Sequence, residues 1–443
     1  MQGRKEGLKA WLDRSGSLPL TISLSTGVAP NTSTPGIDQG YADIIELLVR
    51  YSPRWKTIAL GPRIASLNLQ PLERLKAEDL PLLQAVHSST NLFAFPSNPI
   101  SPPSPTPLAN LLTHAPSLRS LHLACELVPS VDLPLRWSRL TELRINSLTS
   151  YASVTIEPSQ LVQKLAETCH SLIKLSIRAS LPFPPHVFST PAEPLDWESL
   201  REFEIMFEGY CYEFSNGGTQ TRFSTGIRNT FKAFTAPNLR HLSFHIISLS
   251  NTGSAEVPPG LNEEGAPFEE FISRSRCMLT VLDVSLPRSL NVEAVSKSLR
   301  LLPSLKSLKL GHPVRRNSPA PDLQTLQVLR EWIKAVFHAL LLPDMCEDLE
   351  ELECEGCYAD ADAAGLMVDL AFARQRLKAF KADFGTVSRG GVDILVSCLN
   401  AKVRELRETR KVQVDWTWQE EAPPKEAVKE TPESGLPGTN EWW

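Results

Sequence analysis

One six-residue spacing returns along this chain: an apolar residue, two others, an apolar residue, one other, an apolar residue. Clear copies are LRSLHL from Leu118, LTELRI from Leu140, LIKLSI from Leu172 and LREFEI from Leu200. LRHLSF from Leu239, LTVLDV from Leu279, LKSLKL from Leu305 and LEELEC from Leu349 continue the series. Weaker copies are WKTIAL from Trp55, LQAVHS from Leu83 and LKAFKA from Leu377, and an initial strand, LPLTISL at 18–24, precedes them all. The last two apolar positions lie two apart, so on a strand they share one side, and the residues between them face the other way. A chain that repeats this spacing must line up many short strands with one face buried.

Between the strands lie stretches of helical periodicity. YADIIELLVRYSPRW has apolar residues at 44, 45, 47, 48 and 51, and PSQLVQKLAETCHSL places Leu161, Leu165 and Cys169 four apart behind Pro158. NVEAVSKSLRLLPSL, LQTLQVLREWIKAVFHALL and DAAGLMVDLAFARQRL behave alike, and all read as amphipathic helices. Strand, loop, helix and turn thus form the unit, and parallel strands need such crossovers. Successive strand starts lie from 22 residues apart, Leu118 to Leu140, to 44 apart, Leu305 to Leu349. Leucine-rich repeats have periods of roughly 20–29 residues, so several units are stretched by insertions. The predicted fold is an α/β leucine-rich-repeat solenoid, curved, with parallel strands on the concave face and helices and loops on the convex face. Residues 1–17 read as a lead-in helix, 18–418 as about eleven to twelve irregular units, and 419–443 as a disordered, charged, Pro-rich tail.

A second column stands three residues before the first apolar residue of each strand. It holds Leu80, Ala115, Trp137, Cys169, Trp197, Ala236, Leu302 and Cys346, with Ser52, Arg276 and Arg374 as exceptions by residue type. Such a column fits a buried anchor where the preceding helix or turn ends, and cysteine serves there as a small hydrophobe. The stretch CEDLEELECEGC, residues 346–357, therefore reads as one regular repeat: Cys346 in the anchor slot, Cys354 for the last leucine of the strand, and Cys357 at the Asn/Cys position that follows.

These residues resemble the leucine-rich repeats of F-box proteins, the substrate-receptor subunits of cullin–RING ubiquitin ligases; CHSLIKLSI and CEDLEELEC look like the cysteine-containing subtype. The nearer resemblance is to the fungal, basidiomycete-type F-box-like families. It rests on WLDRSGSLPLTISL, IIELLVRYSPRWKTIAL, EDLPLLQAV, HAPSLRSLHL and LRWSRLTELRI, in that order, and covers roughly residues 8 to 415. In those families an F-box of about fifty residues stands before the first of these segments, and nothing like it fits in the ten residues before Trp11. The resemblance implies a module that recognises a ligase substrate, with the adaptor as a partner only if an F-box lies upstream. A free-standing repeat scaffold with no ubiquitin link is the alternative.

Composition narrows the rest. A net charge of −5 and a pI near 6.1 give no basic footprint, so no nucleic-acid partner is expected. No apolar run reaches the roughly 18–20 residues of a membrane span. Eight scattered cysteines, with no secretory leader pattern at the N-terminus, favour reduced thiols and a cytoplasmic or nuclear location. Phosphate-loop, dinucleotide, zinc-protease and nucleophile-elbow motifs are missing. No cofactor and no enzymatic activity are expected. A metal or redox use of Cys346, Cys354 and Cys357 is the lesser alternative, since a structural zinc wants four ligands and no second half-site is visible. His241 and His245 share a strand face at i and i+4, so a metal pair is conceivable; solvent-facing or edge positions are the preferred reading.

What remains for recognition is surface. Aligned strands would set Lys306 and Lys309 beside Glu350, Glu351 and Glu353, and these beside Lys378 and Lys381. A lateral Lys–Glu–Lys ladder follows, read as cross-strand pairing in preference to a dedicated site, yet this remains a candidate partner surface. The insertion FEGYCYEFSNGGTQTRFSTG, 207–226, adds Tyr210, Tyr212 and Phe214, either as a partner hot spot or as a loop folding back on a widened repeat. The Pro/Ser-rich stretch 95–110 reads as a loop.

Overall fold

The computed structural model describes residues 2–25, 35–61, 69–88, 93–94, 104–105, 107–124, 135–146, 158–180, 193–209, 226–248, 268–285, 292–311, 323–357, 361–387 and 392–420. Thirteen strands form one parallel sheet in strict chain order. They are β1 (Leu20–Leu24), β2 (Trp55–Leu60), β3 (Ala85–Ser88), β4 (Ser120–Ala124), β5 (Glu142–Asn146), β6 (Lys174–Ser180) and β7 (Glu202–Gly209). Then come β8 (His241–Ser248), β9 (Val281–Ser285), β10 (Ser307–Gly311), β11 (Glu351–Cys357), β12 (Ala379–Val387) and β13 (Gln413–Glu420). Every repeat read from the sequence supplies a strand. The thirteenth, β13, has no leucine, and its sign in the sequence is the alternation of Val412, Val414, Trp416 and Trp418, of which the two valines are buried. Of the tail expected from 419, residues 421–443 lie outside the described residues.

Helices α1 (Gln2–Arg14), α2 (Pro35–Val49), α3 (Gln70–Glu73), α4 (Pro107–His114) and α5 (Pro158–Thr168) lie among the first strands. They are followed by α6 (226–232), α7 (Glu269–Ser275), α8 (Val292–Arg300), α9 (Leu323–Leu341), α10 (Ala361–Ala373) and α11 (Val392–Arg410). Part of the stretch read as a loop at 95–110 is structured. Ser104–Pro105 pairs antiparallel with Phe93–Ala94, and α4 begins at Pro107, where proline suits a first helical turn. Parallel strands sit about 4.8 Å apart, whereas packed helices need about 8–10 Å. Helices on one face of such a sheet therefore bend it with the strands inside, which makes the solenoid curved.

The core is one layer between sheet and helices, and the leucine columns fill it: Leu121, Leu143, Leu175, Leu242 and Leu308 are fully buried. The anchor column is buried throughout, including both tryptophans. Two of its three exceptions occupy the slot as well, since Ser52 and Arg374 are buried. Arg276 is the true departure. It adopts a left-handed backbone, φ 49°, and ends α7 with its N–H on the Ile272 carbonyl, while Ser275 and Cys277 on either side are buried.

Arginines also tie neighbouring units together. Arg374 donates to the Leu340 carbonyl and, at 2.7 Å, to that of Leu342, at the end of α9. Arg410 does the same to Ala371, Phe372 and Arg374 at the end of α10, and Arg54 to Leu12 and Leu18 around the end of α1. The last carbonyls of a helix lack intrahelical partners, and a planar five-donor guanidinium from the next repeat satisfies several of them at once.

In the widened middle units phenylalanine replaces leucine in the core. Phe203, Phe231, Phe234, Phe244 and Phe271 are buried and meet edge-on or tilted, with ring centroids 4.9–5.5 Å apart for Phe234–Phe271, Phe203–Phe234, Phe231–Phe244 and Phe231–Phe271. Such pairs add about 0.5–1.5 kcal/mol beyond burial. This rigid aromatic layer lies directly under β7 and β8.

Candidate functional site: the concave face of the sheet

Alternation sends every second strand residue to the face away from the helices. Register then sets these residues side by side in lateral rows. One row runs Ser176, Glu204, Ser243, Asp283, Lys309, Glu353, Lys381, Asp415 across β6 to β13. Its second half alternates in charge.

Over β10–β12 the expected ladder is present. Glu350 lies 3.6 Å from Lys306 and 2.5 Å from Lys378; Glu353 lies 2.9 Å from Lys309 and also bridges to Lys381. The hydrogen bond from Lys378 holds the Glu350 carboxyl below the usual range. Burial alone would raise Glu353, but hydrogen bonds from Lys381 and Lys309 outweigh it and leave that carboxyl lowered too. Glu351 faces Ser307 and Ala379, is exposed, and makes no ion pair among the described residues. Apart from Glu351, the ladder therefore satisfies its own charges. Tyr210, Tyr212 and Phe214 lie outside the described residues.

Among the described residues Cys169, Cys277, Cys346 and Cys354 belong to the core. Cys346 is buried in the anchor slot and Cys354 is buried opposite Leu310 and Ala382. Burial pushes the Cys346 thiol up to about 12 and those of Cys169 and Cys277 up to about 11. β11 does not stop at Cys354 but continues to Cys357, which pairs with Phe384 after a register shift. The C-x-x-C pair thus lies within a strand and not at a helix N-terminus, the setting that lowers a thiol pKa.

Between β6 and β9 the same face carries a hollow of about 200 Å³, bordered by Lys174, Glu202, Glu204, His241, Ser243, His245 and Asp283. Glu204 stands between two small residues in the lateral row, Ser176 and Ser243, and Ser243 borders the hollow. Lys174 pairs with Glu202 at 2.7 Å. The His245 ring is fixed at both nitrogens, Nε2 lying 2.6 Å from the Ser243 hydroxyl and Nδ1 2.7 Å from that of Ser285. The Asp283 carboxylate is 3.8 Å from Nε2. Burial raises the Asp283 carboxyl, although His245 and Lys309 pull it back, and burial lowers His241 against the pull of Glu202 and Asp283. Glu204 makes no hydrogen bond or ion pair among the described residues. Of the two positions expected for His241 and His245, solvent-facing or edge, the edge is excluded: β8 has seven strands on one side and five on the other, and both imidazoles are half-buried on the face away from the helices. Among the described residues no group of three or more His, Cys, Asp or Glu could hold a metal ion. Sequence reasoning followed the two histidines along one strand; the hollow is built across four.

Toward the N-terminal end, Ser120, His122 and Glu142 approach one another on β4 and β5. The spacing imitates a nucleophile, base and acid, but the wiring differs. Ser120 donates to Glu142 at 3.0 Å, and it is the same His122 Nε2 that faces both groups, 3.2 Å from Glu142 and 3.5 Å from Ser120. A base that activates serine must take its proton with one nitrogen while the acid orients the other. Here the hydroxyl proton is already spent on the carboxylate. His122 also stacks on His87, ring centroids 4.0 Å apart, and burial followed by that neighbour lowers its pKa.

No protein-family profile matches the sequence, and no curated protein matches it. Among solved structures, the leucine-rich repeat-containing protein LegL7 from Legionella pneumophila is similar over 92% of this chain and 94% of its own, at 11% identity and a TM-score of 0.35. The fold itself is plain from the thirteen parallel strands in chain order described above: the chain is an α/β leucine-rich-repeat solenoid. Among the described residues no helix is long and apolar enough to cross a membrane.

Proposed function

We propose that this protein is a non-catalytic interaction module that holds another protein against the concave face of its sheet. One observation carries this reading. The twelve strands from β2 to β13 turn mostly polar side chains to the face away from the helices, from Thr57 to Asp415, and most of the charged groups there are paired with one another or border one small hollow. Extended concave sheets of this kind are the binding surfaces of solenoids. Within that reading the order of the N-terminal motifs supports a substrate-recognition region like that of fungal F-box ubiquitin-ligase receptors, acting in the cytoplasm or nucleus. A free-standing scaffold is the second reading.

Photo-crosslinking separates these. A crosslinker placed at Thr57 or Lys381 on the sheet face should trap a discrete protein, and one at Glu293, on α8, should not. Co-recovery of a cullin adaptor and slower turnover of the trapped protein on removal of this chain would support the ligase reading. A trapped protein without either would support the scaffold.

A further inference from the structure

We propose that the hollow between β6 and β9 is a specificity pocket for one basic side chain, arginine by preference, presented by a protein partner docked on the concave face. This inference rests on the interaction reading above and names what the partner must carry. The volume, about 200 Å³, lies below the roughly 300–1,000 Å³ of small-molecule sites, and matches one long side chain better than a cofactor or metabolite.

The hydrogen-bond inventory sets the chemistry. Three carboxylates, Glu202, Glu204 and Asp283, border the space against a single ammonium, Lys174. That ammonium is already committed to Glu202. Both nitrogens of His245 are taken by serine hydroxyls. The hollow thus has acceptors left over and few donors to offer. Glu204 is the clearest case, since its lateral neighbours Ser176 and Ser243 are uncharged and it has no hydrogen bond or ion pair among the described residues. The ladder on β10–β12 shows what a self-sufficient surface looks like on this same sheet: there Glu350 and Glu353 each have a lysine on both sides. A donor-rich, acceptor-free group complements the hollow. A guanidinium offers five donors in a planar fork and can serve Glu204 and a neighbouring acceptor together, which a compact ammonium does less well. The aromatic layer beneath β7 and β8 keeps the floor from yielding.

Titration of the full chain with a tetra-arginine peptide at low ionic strength tests this, with tetra-lysine and tetra-glutamate as comparison probes. Tetra-arginine should bind best and tetra-glutamate not at all. Glu204→Gln should weaken tetra-arginine about tenfold, the loss expected for one charged partner of a shared guanidinium. Glu351→Gln, the same charge change at an exposed position of the same face, should leave it within about twofold, as expected of a charge in high dielectric. Equal weakening by the two variants would reduce the effect to net-charge attraction and overturn the proposal, as would failure of tetra-arginine to bind. Should protein crosslinks at Thr57 or Lys381 persist in either event, the pocket falls and the wider interaction reading stands.

Discussion

Ser285 and His245 are locked together across β8 and β9, hydroxyl to Nδ1 at 2.7 Å, and the glycine on the next strand makes room for it. A Cβ at Gly311 would lie 2.9 Å from the Ser285 hydroxyl oxygen, closer than real Cβ contacts come. Gly311→Ala should therefore turn Ser285 away and release one side of the imidazole. Loss of that hydrogen bond costs about 1 kcal/mol, and alanine for glycine in a strand returns about 0.5–1 kcal/mol. Thermal stability should barely move while the ring ¹⁵N shifts of His245 change clearly. Ser285→Ala should give the same shifts, and the double variant no more than either alone. Unchanged shifts in Gly311→Ala would show that the ring is held otherwise.

The two kinds of carboxylate on the sheet should respond oppositely to pH. Glu353 has its pKa lowered on folding, so it stabilises the fold above its ordinary value of 4.5, and that contribution disappears as pH falls through the lower, folded-state value. Glu353→Gln should cost about 0.5–1 kcal/mol in urea unfolding at pH 7 and progressively less as pH falls below 4.5, with salt shrinking the difference.

Asp283 carries the opposite sign. Its pKa is raised, so its charged form burdens the folded state above 3.8, and the burden lifts as pH drops through the folded-state value. Asp283→Asn should raise the unfolding midpoint at pH 7, with the gain fading in acid. A residue kept where it costs stability is more at home in a binding site than in a scaffold. A loss of stability in Asp283→Asn at pH 7 would contradict the burial account.

Removing Arg374 should open the seam between two repeats. Arg374→Ala leaves the Leu340 and Leu342 carbonyls at the end of α9 without their donor and empties a buried slot, a cost of about 3 kcal/mol. Arg374→Lys should recover only part of this, because an ammonium cannot fork over two carbonyls. Hydrogen exchange should locate the loosening at α9 and α10, and uniform loosening along the solenoid would argue against a local tie.

Thiol labelling separates core cysteines from reactive ones. With burial pushing Cys169 and Cys277 up to about 11 and Cys346 to about 12, maleimide at pH 7.5 should leave all three unlabelled in the folded chain and modify them once urea unfolds it. Labelling of Cys346 in the native protein at rates typical of an exposed thiol would revive a redox or metal role.

Much of this architecture could be read from residues alone, because its signals are local. The L-x-x-L-x-L spacing specifies which side of each strand is buried within six residues, and a strand's period of two leaves little freedom in that choice. The anchor column worked for the same reason, and even predicted that Trp137 and Trp197 would plug it. Aligning motif starts was enough to place Lys309, Glu353 and Lys381 abreast. Ser52 and Arg374 were misjudged because residue type stood in for burial: a guanidinium that meets several orphan carbonyls can be buried where a bare charge could not.

The sequence by itself thus determined the repeat, the sheet and its buried face. Tertiary structure alone decided that Glu204, Ser243, His245 and Asp283, from three strands separated by insertions of variable length, border one hollow. Depth, side-chain reach and desolvation at that spot depend on small residues beside large ones in neighbouring units, and no spacing within a single repeat encodes them.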